Sequence, residues 1–124
     1  MLVFKKLIKI PIYFGKLLVI VSVDWEYVNK TYKFDLNNET SACVFETVDR
    51  KGVTTFVVAF TEINPSSDKI AHEAVHLVGL LFKNRGILAD FNNDEPFAYM
   101  LGWTVKSINS LLLKIKVGSK ELNK

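Results

Sequence analysis

The sequence is short of the residues that staple small extracellular domains. Cys43 is its only cysteine, so no internal disulfide can form. Nothing around Cys43 has the spacing of a metal-thiolate motif, and its expected role is that of a small buried apolar residue. Proline and glycine are few, at 3 and 6, which excludes collagen-like and linker-like chains. Long apolar runs are missing as well. Lys5, Lys6, Lys9, Pro11 and Lys16 interrupt the hydrophobic stretch 1–23, whose longest clean part, 17–23, is strand-sized. No A-x-A-like cleavage site follows it, so the stretch reads as folded domain and the expected location is cytoplasmic, with no membrane partner. The net charge is only +3 and the lysines are scattered, so nucleic acid is not indicated as a partner. Histidine is nearly as scarce as cysteine: His72 and His76 are the only two.

What is present is core. Of 124 residues, 49% are hydrophobic and 12% aromatic, enough for one compact domain over 1–124 and too few for two. Ile10 to Lys16 reads as an extended segment bent at Pro11 and Gly15. The β-branched run 17–23 reads as a buried strand. Asp24 is a good N-cap for a short helix to Tyr32, and a polar loop follows at 35–39. Two β-rich runs, Ala42–Val48 and Val53–Phe60, flank Asp49-Arg50-Lys51-Gly52, a strong hairpin signal. The expected sheet is small, mostly antiparallel and about three-stranded. Trp25 and Trp103 are expected in the core.

Asn64-Pro65-Ser66-Ser67-Asp68 then caps a helix predicted over 67–84 and stopped by Gly86. Its apolar residues run nearly all round, which predicts a helix buried in the middle of the domain. A second helix is predicted over about 95–117, with Pro96 in its first turn and a break at Gly118. A frayed polar tail follows.

The two histidines fall inside the first of these helices, four residues apart, with Glu73 directly after His72. On a helix, residues four apart share a face, so both imidazoles can reach one metal ion. The adjacent Glu73 can polarise a metal-bound water without ligating. His72-Glu73-x-x-His76 therefore points to a Zn²⁺ site with Glu73 as catalytic base. The bland alternative is a pair of satisfied core histidines and a salt-bridged glutamate, which would need three partners in a buried helix. Catalytic zinc usually takes a third protein ligand. Phe82 stands where a third histidine would complete H-E-x-x-H-x-x-G-x-x-H, so a carboxylate from the second helix is expected. Glu95 is the first choice, because Ala98 and Gly102 on the same helix would permit close approach to the histidine helix. Asp94 is the alternative, and both residues also make sense as helix caps.

His72-Glu73-x-x-His76 followed by Glu95-Pro96-Phe97-Ala98-Tyr99 resembles the gluzincin type of zinc metallopeptidase. The Glu95-x-x-Ala98 element is similar to that of the ImmA/IrrE-like peptidases, and Asp94 to Trp103 resembles small phage and prophage proteins. The resemblance covers residues 66–105 and implies an α+β, minimal zincin-like fold with a short sheet on a central histidine helix and a long C-terminal helix. It implies His72, His76 and Glu95 as ligands, Glu73 as general base, a peptide or protein substrate and, for a phage-encoded chain, the host cytoplasm. Tyr99 and Tyr13 are the candidates to support the transition state, and Asp90 or Asp94 to accept from the histidine N–H groups. The strand Val53–Phe60 is expected to be an edge that adds an extended peptide. An open sheet edge also admits a homodimer. The rival expectation is a zinc-stabilised structural, regulatory or protein-binding accessory without turnover.

Overall fold

The computed structural model describes residues 1–122. The elements run β1 (Leu2–Lys9), β2 (Lys16–Ser22), α1 (Glu26–Tyr32), β3 (Ala42–Val48), β4 (Thr54–Phe60), α2 (Ser67–Asn84) and α3 (Glu95–Leu122). The class is α+β, and the sheet has four strands in the order β1-β2-β4-β3. β1 pairs antiparallel to β2 and β3 antiparallel to β4, while β2 and β4 are parallel.

The fourth strand, β1, corrects the three-strand expectation. Lys5, Lys6 and Lys9 break its apolar alternation, and an edge strand tolerates such charges because one side faces water. β2 and β4 are central and buried on both faces, which is why they read as continuous apolar runs. Leu17, Val19 and Val21 join Phe56, Val58 and Phe60 on the face packed by α2 and α3. Ile20, Val57 and Ala59 point the other way, against Trp25 and Val28 of the α1 layer. The sheet is thus sandwiched between two helical layers.

The central position of β4 also corrects its assignment as an edge. The chain leaves β2, forms α1, runs out to β3 and returns through the hairpin into the gap between β2 and β3. The free edges are β1 and β3. Asp49 builds the hairpin turn, its carboxylate accepting from the Lys51 and Val53 N–H groups at 2.8 and 2.9 Å. Asp24 accepts from the Glu26 N–H at 3.1 Å, and α1 starts just after it.

α2 has the predicted bounds, and its end has a clear cause. Gly86 sits at φ +69; its N–H donates to Lys83 O and that of Ile87 to Phe82 O, which is the Schellman closure glycine favours. The expectation that α2 is buried all round does not hold. Ile70, Glu73, Ala74, Leu77, Val78, Leu81 and Phe82 are buried, whereas His72, Val75, His76, Gly79 and Lys83 are exposed. α2 lies on one face of the sheet and shows its other side to solvent.

α3 runs through Gly118 to Leu122 instead of breaking there; of the expected frayed tail, Asn123 and Lys124 lie outside the described residues. Its packing stripe is Phe97, Met100, Leu101, Thr104, Ile108, Leu111, Leu112 and Ile115, at the three- and four-residue spacing of one face. Ala98 and Gly102 are exposed, so they do not mediate the approach of α3 to α2. Trp25 is 2% exposed and Trp103 packs against the main core as expected.

Cys43 lies beside the α1-side core. Burial first, and the Glu73 charge second, push its thiol from 9.0 up to about 12. The unfolded chain therefore ionises at Cys43 from about pH 9, while the folded chain keeps the proton to about 12. Stability from this thiol is present below pH 9 and is lost as pH rises through that window. A Cys43→Ala variant is expected to show a shallower alkaline fall in urea-unfolding stability than the parent, and the native thiol should resist iodoacetamide at pH 8. Rapid alkylation of the folded protein would contradict both.

Candidate active site on the open face of the histidine helix

His72 and His76 stand one turn apart on the solvent side of α2. Their Nε2 atoms are 3.1 Å apart and share a hydrogen bond, with the rings edge to face at 4.7 Å. Two nitrogens bound tetrahedrally to one zinc at about 2.05 Å would lie roughly 3.3 Å apart. The spacing of the two nitrogens is therefore close to that of two ligands on one cation. Because both rings are exposed, water can also satisfy them, and burial alone does not demand a metal.

Glu73 is one residue on and rotated toward the sheet, which leaves it 9% exposed. Its position joins the buried face of α2 to the open one. Glu73 and His76 line a groove of about 630 Å³ whose other walls are Val44 of β3, Val75, Gly79, Leu80 and Lys83 of α2, and Phe97 of α3. His72, His76, Gly79 and Lys83 follow one another at intervals of four, three and four, which makes one exposed stripe on α2, of which His76, Gly79 and Lys83 line the groove. Gly79 leaves that floor open, since a Cβ there would meet nothing within 4 Å. The bond from Asn84 Nδ2 to Glu46 Oε2, 3.1 Å, holds the end of α2 to β3. The strand beside the histidine helix is thus the free edge β3, with Val44 in the groove wall.

The acidic candidates lie elsewhere. Glu95 opens α3 and is exposed. It precedes buried Thr104 by roughly two and a half turns, so it stands half a turn out of phase with the packing stripe, on the outer side of α3. Tyr99 shares that outer side and is 52% exposed. Asp94 lines a separate cavity of about 270 Å³ with Asp90 and Phe91. The Asp90 carboxylate accepts from the Asn92 N–H at 2.9 Å, and so serves its own turn. Tyr13 packs its ring on Phe82, 5.4 Å between centroids. Among the described residues, no three His, Cys, Asp or Glu side chains converge as a metal-binding group. The fold sets His72 and His76 side by side on the exposed face of α2 and turns Glu73 to its buried face, and no carboxylate joins the two histidines as a third metal-binding group among the described residues.

Val44, Lys83 and Phe97 are groove residues that the motif does not mark. Only the stripe 76-79-83 carries a signal for the groove floor. Its walls come from β3 and α3, whose approach depends on the sheet order. No family model matches the chain, and no curated protein or solved structure matches it, so the chemistry of the site is read from its own residues.

Proposed function

We propose that the protein is a small zinc-dependent hydrolase of zincin-like design that cleaves an amide bond in an extended peptide. The observation that carries this reading is the 3.1 Å His72–His76 nitrogen pair, whose His76 lines a groove together with Glu73. His72 and His76 would hold the metal, and Glu95 is the proposed third ligand. Bound zinc supplies a Lewis acid and a water whose pKa falls towards neutrality. Glu73 accepts the proton of that water and returns it to the leaving amine. Its partial burial keeps the carboxylate in the groove and limits competing solvent. The free edge of β3 orients the substrate by main-chain hydrogen bonds, with Val44, Leu80 and Phe97 taking apolar side chains.

For Glu95 to ligate, the first turn of α3 must re-form around the histidines. Zinc is therefore expected to slow amide hydrogen exchange across residues 89–96 and to stabilise the fold through ligand linkage. Calorimetric titration of metal-free protein with zinc should give one equivalent bound, with at least about a tenfold loss of affinity in Glu95→Ala and a near-complete loss in His76→Ala. Full affinity in Glu95→Ala would move the third ligand to another residue. Less than a tenth of an equivalent in the parent would remove the metal reading. A second reading, a protein-binding accessory without turnover, is favoured by the exposure of both imidazoles and the openness of the groove. It would leave Glu73 dispensable.

A further inference from the structure

The tip of the β1–β2 hairpin is built at a cost in backbone conformation. Ile12 and Phe14 adopt φ of +67 and +61, the left-handed region that side chains rarely enter and that a β-branched residue especially avoids. Arg85, at the end of α2, holds the tip there. Its Nε donates to Tyr13 O at 2.7 Å and its Nη2 to Phe14 O at 2.8 Å, while its guanidinium lies over Phe56 at 5.8 Å. Gly15 makes room for it, because a Cβ there would sit 2.8 Å from Nη2. Tyr13 is drawn inward onto Phe82. The residues on either side are turned outward as a result, leaving Ile12 66% and Phe14 81% exposed.

Behind these two side chains stand two lysines. Lys9 and Lys16 are direct cross-strand partners at the base of the turn, a like-charge pairing that disfavours the hairpin on its own. Among the described residues neither is in a salt bridge. They line one cavity of about 450 Å³ with Ile12, Phe14 and Val53.

A hairpin tip with bulky exposed apolar residues at its point and two cations outside any salt bridge at its base matches a lipid–water interface. The apolar groups enter the acyl boundary while the lysines meet headgroup phosphates. We infer that the Ile12–Phe14 tip docks the protein peripherally on an anionic lipid surface. Such docking needs no spanning helix, and among the described residues none is long and apolar enough to cross a membrane. It departs from the expectation of no membrane partner, which rested on spanning and export signals alone. The inference is independent of the zinc chemistry, since the tip shares no residue with the groove.

The test is co-sedimentation of the full chain with vesicles of equal parts phosphatidylcholine and phosphatidylglycerol, and with phosphatidylcholine alone, at low salt. The parent should partition into the anionic vesicles at least about tenfold better than into neutral ones. An Ile12→Asn/Phe14→Asn variant should fold normally, because asparagine tolerates the left-handed region, and should lose binding by at least about tenfold. Lys9→Gln/Lys16→Gln should abolish the preference for anionic lipid. The proposal is overturned if the parent stays in the supernatant with anionic vesicles, if the asparagine variant sediments like the parent, or if lipid charge has no effect. Concentration-dependent self-association that the asparagine variant abolishes, without vesicle binding, would instead make the tip a protein contact and also overturn it.

Discussion

Glu73→Gln is expected to reduce peptide hydrolysis by a hundredfold to ten-thousandfold, on the order of what a positioned general base contributes, while zinc binding is retained. The glutamine has nearly the same shape, so it keeps the packing of a side chain that is 9% exposed and lines the groove with His76. What it loses is the ability to take a proton. It differs from His76→Ala, which should remove metal and activity together. Turnover of a peptide library with equimolar zinc, read by mass spectrometry, separates the two. If an activity is found and Glu73→Gln leaves it unchanged, Glu73 is not the base. A chain with zinc bound but no turnover in either form would be a structural or protein-binding accessory.

The largest effect on stability is expected at Trp25→Ala, at about 3–5 kcal/mol. Trp25 is the largest side chain in the smaller core, packed with Ile20, Val28, Val57 and Ala59. Its Nε1–H donates to Thr40 O at 2.6 Å, which anchors the connection that leads into β3. Truncation leaves a cavity beneath the sheet and an acceptor without its donor. Against a total stability of about 5–15 kcal/mol for a domain of this kind, that loss removes between about a fifth and all of the margin. Trp25→Phe keeps an aromatic ring in the core but loses the hydrogen bond and part of the packing, and should cost less than the alanine variant, about 1–3 kcal/mol. Urea unfolding monitored by circular dichroism measures both. A cost below about 1 kcal/mol for Trp25→Ala would mean that the smaller core is not organised around this ring.

The elements were legible where one local rule sufficed. The β3–β4 hairpin was signalled by a turn carrying Asp49 and Gly52, and α2 by its cap-rich start and Gly86. β1 was hidden because an edge strand need satisfy only one neighbour and tolerates the lysines that mask its period. The burial of α2 was overestimated for a similar reason. Alanine, valine and glycine at 71, 75 and 79 read as apolar in a sequence, yet such residues sit at little cost on an open face.

The same division applies to the candidate site. The sequence by itself determined the relation among His72, Glu73 and His76. Four residues of α-helix put two imidazoles on one face, and one residue turns the glutamate about 100° from the first of them. Tertiary structure decided everything that depends on contacts between elements far apart in the chain. It put β3 rather than β4 at the edge beside that face, and it set Val44 and Phe97 as the groove walls. It also turned the start of α3 so that Glu95 faces away, because the helix orients to bury Met100, Thr104 and Ile108 and an exposed carboxylate has no comparable hold on its phase. Local geometry is dictated by covalent periodicity, whereas the approach of one element to another follows whichever apolar face has most area to remove from water.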